Sequence, residues 1–138
     1  MWIDPSQEAW FVTVCCEPRG HNQLAFPGLW SHLRESIERR NEGGQWRCSL
    51  FLAMPDHVHF IVTFPGDFYL RKTMAEWKRW HASRHGIQWQ RGFFDHRLRT
   101  EDSGVEKRNY ILQNPVRAGL VEKTEDWPYV WDLRTGRR

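Results

Sequence analysis

Cysteine is scarce in this chain: there are three, at positions 15, 16 and 48. The number is odd and no Cys-x-x-Cys spacing occurs, which excludes a disulfide framework and a zinc ribbon. A reducing cytoplasm is the expected setting. Long apolar runs are also missing. No stretch approaches the ~20 residues that cross a bilayer, so no membrane partner is expected. The opening Met1-Trp2-Ile3-Asp4-Pro5 lacks a basic segment followed by an apolar one, so no secretory signal is expected. Repeats, low-complexity tracts and linkers are absent too.

What remains is an ordinary globular composition: 138 residues, 40% hydrophobic and 27% charged. That length fits one compact domain over residues 1–138. The net charge of +3 is uninformative, but its distribution is not. Residues 71–108 hold ten basic and five acidic side chains, and the rest of the chain is net negative. A basic middle third can contact phosphates, although a solvated helix face gives the same pattern. Arg79, Arg91, Arg97 and Arg99 of this segment, with Arg117 beyond it, are the candidate nucleic-acid contacts. Nine tryptophans are spread along the chain, most of them packing residues. Trp77, Trp80 and Trp89 lie among the basic residues, where a ring can stack on a base.

Periodicity gives the element order. Residues 9–17 are rich in β-branched and aromatic side chains and predict a strand. Leu29, Trp30, Leu33 and Ile37 share one face of a helix over 28–41. Strands are predicted over 46–54 and 57–64, joined by Pro55-Asp56. Pro65-Gly66-Asp67 forms a turn. A helix follows over 69–85, with Leu70, Met74, Trp77 and His81 inward, and then a strand over 93–99. Thr100 or Ser103 caps a last helix, which Pro115 stops or kinks. The tail is less regular. Strand, helix, strand, strand, helix, strand is the split βαβ order. It predicts an α+β, ferredoxin-like sandwich with an antiparallel sheet and an appended C-terminal helix bearing Tyr110.

His57-Val58-His59 lies inside an apolar run. Strand alternation aims both imidazoles to one side, giving two metal ligands on one rigid element. Two half-buried histidines bonded to backbone or water give the same pattern. Zinc hydrolases with His-x-His-x-Asp-His are excluded, because Phe60, Ile61 and Val62 follow. Barrel amidohydrolases need about 250 residues. Tyr110 and Asn114 are four apart and so neighbours on a helix face. If that face covers the histidine strand, Asn114 adds an oxygen to two nitrogens. A mixed site with open positions suits Mg²⁺ or Mn²⁺ on a phosphate oxygen. Asn114 precedes a proline, which disfavours helical angles there. His81 and His85, also four apart, offer a weaker metal pair without a third ligand in view.

Residues 54–62, Met-Pro-Asp-His-Val-His-Phe-Ile-Val, resemble the signature strand of the small single-tyrosine HUH transposases. Residues 110–121, Tyr-Ile-Leu-Gln-Asn-Pro-Val-Arg-Ala-Gly-Leu-Val, resemble the tyrosine helix of their REP-associated branch. Residues 89–96 and 126–129 match the flanking segments. The resemblance runs from about Ala9 to Trp131. The flank Asp4 to Glu8 departs from the basic flank of many members.

The resemblance implies a single HUH single-tyrosine transposase domain. His57, His59 and Asn114 would be metal ligands for Mg²⁺ or Mn²⁺, with Tyr110 as nucleophile. Tyr110, His57 and His59 would form the catalytic set. The implied reaction cleaves and rejoins single-stranded DNA through a 5′-phosphotyrosine link, at hairpins of repeated palindromic elements. The alternative is a domesticated protein that binds hairpin DNA or RNA and no longer cuts. A monomer is favoured over a homodimer.

Overall fold

The computed structural model describes residues 9–66 and 69–138. The flank before Ala9 and Asp67 of the expected turn lie outside the described residues. The elements are β1 (Ala9–Cys15), α1 (Pro27–Glu42), β2 (Arg47–Ala53), β3 (His57–Thr63), α2 (Tyr69–His85), β4 (Phe94–Leu98), α3 (Glu101–Arg117) and β5 (Val130–Asp132), with a 3-10 turn at Thr124–Asp126. The sheet order is β4-β1-β3-β2-β5 and every pairing is antiparallel. The ferredoxin-like α+β arrangement expected from the element order is therefore present. It is widened by a fifth strand that lies within the tail read as less regular.

Strand alternation divides the core between the two faces of the sheet. Val12, Val14, Phe60 and Val62 join Leu33, Ile37, Met74 and Trp77 under α1 and α2. Leu50, Leu52, Ile61 and Leu98 join Ile111 and Trp127 on the α3 side. Trp77 is wholly buried, so it is a packing residue rather than a base platform. Trp89 packs partly buried against the same cluster, whereas Trp80 is 44% exposed. His81 is wholly buried too. Its Nε2 lies 2.9 Å from Ser36 Oγ. A register shift between Cys48 and Leu50 places Cys48 in the first cluster and Leu50 in the second. An inserted residue in one strand has that effect on side-chain direction.

The course of α3 fixes the site. Thr100 Oγ1 accepts from the Ser103 backbone N–H at 3.0 Å, so Thr100 is the cap. Glu101 and Asp102 occupy the first turn, where negative charge complements the helix dipole. Pro115 does not end the helix but lies inside its last turn. Gly119, at φ +75°, ends it. Leu120 N–H donates to Pro115 C=O and Gly119 N–H to Val116 C=O, the Schellman pattern. Asn114 is consequently helical and stays in register with Tyr110. Only Ile111 and Pro115 of α3 are buried.

Candidate active site

His57 and His59 lie on β3, the middle strand of the sheet, with β1 on one side and β2 on the other. They belong to the alternate set that includes Ile61 and faces α3. His59 is 4% exposed. The two Nε2 atoms converge on the Asn114 amide, at 3.2 Å from His57 and 2.7 Å from His59. A half-turn of the amide exchanges its oxygen and nitrogen, so either atom can face the imidazoles. The structure thus brings His57, His59 and Asn114 together, as expected.

Both imidazoles are held at their far nitrogens. Asp56 Oδ1 lies 2.9 Å from His57 Nδ1, and Thr13 Oγ1 lies 2.9 Å from His59 Nδ1. A proton on each Nδ1 satisfies both contacts and leaves each Nε2 as a bare lone pair. Such partners orient metal-binding histidines and fix their tautomer. Asp56 is itself gripped. Arg19 Nε donates to Oδ2 at 2.9 Å and the Gly20 N–H donates to Oδ2 at 2.8 Å. Burial pushes the Asp56 carboxyl up, but hydrogen bonds from Arg19, His57 and Gly20 outweigh it and hold it well below the usual carboxylate range. Burial lowers His57, opposed by Asp56. Burial, then the neighbouring His57, Arg117 and Arg19, push His59 down to about 3. Both rings are neutral at pH 7, the state that coordinates metal.

Tyr110 lies one helical turn before Asn114 and is 46% exposed. Its ring centroid is 6.2 Å from that of His59 and 6.0 Å from that of Phe11. The Arg117 guanidinium lies 4.2 Å from the Tyr110 ring centre and donates to the Tyr110 carbonyl at 2.7 Å. Lys107 Nζ lies 5.0 Å from the Phe11 ring centre and 5.4 Å from that of Tyr110. Lys107, Tyr110, Asn114 and Arg117 form one stripe along α3, at spacings of three, four and three residues.

The other expected contacts are scattered. Arg97 lies over Trp10, with its carbon 4.8 Å from the ring centre. Trp10 packs against the cluster under α1 and α2, so Arg97 is on the far side of the sheet from the histidines. Arg79 is on α2, on that far side. Arg91 lies between α2 and β4. Arg99 lines a groove beside α3. Thr13, Asp56, Arg19 and Lys107 were not singled out in the sequence. Only Asp56 carried a signal, as the residue before His57.

A cation held here would meet two imidazole nitrogens and an amide oxygen. Among the described residues no cluster of three or more His, Cys, Asp or Glu forms a richer site. Two neutral, pre-oriented imidazoles beside a rotatable amide fit a divalent ion with open positions.

No family model matches the chain. An Escherichia coli (strain K12) protein named REP-associated tyrosine transposase is 28% identical over 123 residues, covering 87% of this chain and 73% of that protein. The chain is similar in sequence to REP-associated tyrosine transposases. A second relative, from Haemophilus influenzae, is 28% identical over 137 residues, covering 87% of this chain and 77% of its own. A solved REP-associated tyrosine transposase bound to a REP hairpin shares the fold, with a TM-score of 0.70 at 24% identity. It aligns with 94% of this chain and 79% of that one.

Proposed function

We propose that this chain cleaves and rejoins single-stranded DNA at hairpins of repeated palindromic elements, with Tyr110 as nucleophile. The observation that carries the reading is the convergence of His57 Nε2 and His59 Nε2 on the Asn114 amide, one helical turn from an exposed tyrosine. Residues 1–138 work as one domain. A monomer suffices, because one chain supplies the whole set.

His57, His59 and Asn114 would hold Mg²⁺ or Mn²⁺, which would neutralise charge on the scissile phosphate and orient it. The protein's own groups do the rest. Asp56 and Thr13 keep the two Nε2 atoms unprotonated and aimed. Arg117 bonds the Tyr110 carbonyl and covers its ring, which restrains the nucleophile. The Tyr110 oxygen bonds to phosphorus and the P–O3′ bond breaks. In the balance of protons, the phenol loses one and the departing 3′-oxygen gains one. The new link is again a phosphodiester, so a 3′-hydroxyl can reverse the attack without ATP. The basic Lys107 and Arg117 beside Tyr110 suit a polyanion. A reducing cytoplasm suits the free, buried Cys15, Cys16 and Cys48. No helix among the described residues is long and apolar enough to cross a membrane.

The test is a labelled hairpin oligonucleotide with single-stranded flanks, incubated with Mg²⁺, Mn²⁺ or chelator. A metal-dependent protein–DNA adduct that survives a denaturing gel and disappears in Tyr110→Phe is the expected result. Tight binding with no adduct under either metal, across several hairpins, would replace this reading with the non-cutting binder.

A further inference from the structure

The first turns of α3 stand clear of the sheet. None of the residues from Glu101 to Tyr110 is buried. A Cβ built on Gly104 meets no other atom within 4 Å. Between this half of the helix and the sheet runs a groove of about 680 Å³. Its floor includes Ile61 and Leu98, on the same face as the histidines. Ile61 is the next residue after His59 on that face of β3 and pairs with Phe11 of β1. Lys107 lies over Phe11. The groove therefore lies on the same face of the sheet as Tyr110, with Lys107 and Phe11 between them.

Its walls carry mainly positive charge. Arg47, Arg99 and Arg134 line it, and all three are exposed. Among the described residues their guanidiniums form no ion pair or hydrogen bond, whereas the fourth lining arginine, Arg108, is paired with Asp132. Glu101 is the one carboxylate among the lining residues. Val105 and Leu133, 45% and 39% exposed, add apolar surface to the walls. Apolar surface between unpaired guanidiniums suits an unpaired nucleic-acid strand, whose base faces are apolar and whose backbone is anionic. A duplex keeps its base faces stacked and has no use for the apolar part. The volume, within the range that holds drug-sized ligands, has room for roughly two nucleotides.

We propose that a single-stranded flank of the DNA lies in this groove beneath the N-terminal half of α3, its phosphates on Arg47, Arg99 and Arg134. The inference rests on the strand-cleavage reading for its direction from Tyr110, and it deepens that reading by assigning the strand path.

The test compares the wild type with the triple variant Arg47→Ser, Arg99→Ser, Arg134→Ser. Binding of a fluorescent hairpin oligonucleotide is followed by anisotropy across a salt series. The oligonucleotide carries both single-stranded flanks, or lacks one or the other. On the full oligonucleotide the logarithmic salt slope should fall by about 0.7 for each lost contact, about 2 in all. Trimming one flank should produce the same loss in the wild type and make variant and wild type equal. Trimming the other should leave their difference intact. A variant that binds the full oligonucleotide with the wild-type slope would overturn the proposal. So would a deficit that persists on both trimmed substrates, since the arginines would then contact the hairpin. The adduct assay separates the two readings. If the wild type forms no adduct yet shows the flank-dependent slope, the strand path stands and the cleavage reading fails. If adduct forms and the variant binds like wild type, only the strand path fails.

Discussion

Thr13 and His59 face each other across β1 and β3, and the hydroxyl of one lies 2.9 Å from Nδ1 of the other. The contact fixes which nitrogen of a buried ring is left bare. Thr13→Val keeps the shape and removes the acceptor. Metal affinity should fall by about 10- to 100-fold, the usual cost of losing such a partner. Thr13→Ser should retain most of it. Isothermal titration with Mn²⁺ reads the difference, and equal affinities for Val and wild type would refute the role.

The Arg19–Asp56 pair predicts an acid-dependent stability. The Asp56 carboxyl is depressed in the folded protein from an ordinary value of 3.8. Its contribution is thus fully present above pH 3.8 and declines as the pH falls through the folded value. Wild type should melt above Asp56→Asn by a constant margin from pH 7 to about 5, and the margin should shrink in stronger acid. Arg19 is half exposed, so the margin is modest and should narrow further in high salt. Calorimetry over a pH series checks both trends.

The histidines predict how activity responds to pH and metal. Both are lowered from the ordinary imidazole value of 6.5, His59 to about 3. Protonation of His59 therefore does not compete with the metal near pH 6.5. Any loss of adduct formation to histidine protonation should set in only below pH 6.5. Two nitrogen ligands also suit Mn²⁺ better than Mg²⁺, which prefers oxygen. Half-maximal adduct formation should need less Mn²⁺ than Mg²⁺. An acid limb centred at 6.5, or equal requirements for the two ions, would contradict the ligand set.

Lys107 has no carboxylate partner among the described residues and lies near both Phe11 and Tyr110. Its ammonium is placed to offset phosphate charge beside the nucleophile. Lys107→Ala should slow single-turnover adduct formation by about tenfold or more, as removal of a charge-stabilising donor does. Lys107→Arg should recover part of the rate. An unchanged rate in Lys107→Ala would reduce the residue to packing on Phe11.

The parts of the site that follow from local periodicity were legible in the sequence. His57 and His59 share a face because strands alternate, and Tyr110 and Asn114 share one because helices repeat. The parts that depend on register were not. Thr13 meets His59 only because β1 and β3 pair at that offset. Arg19 reaches Asp56 from a loop after β1. Pro115 misled for a physical reason. It sits so near the helix end that one missing N–H does not break it, and Gly119 supplies the true stop. β5 has three residues, too few for a period to register. The phosphate contacts expected from charge density alone fell on both sides of the sheet, because clustering along a chain does not fix a face.

The two halves of the site differ in how firmly they are anchored. The histidines are stitched into β3 by ladders on both edges. Tyr110 and Asn114 ride on a helix that buries two side chains. A segment so lightly seated can open at lower free energy than the sheet beneath it. The nucleophile and the third ligand then leave together, as passengers on one hinged arm, while the two imidazoles stay where they were.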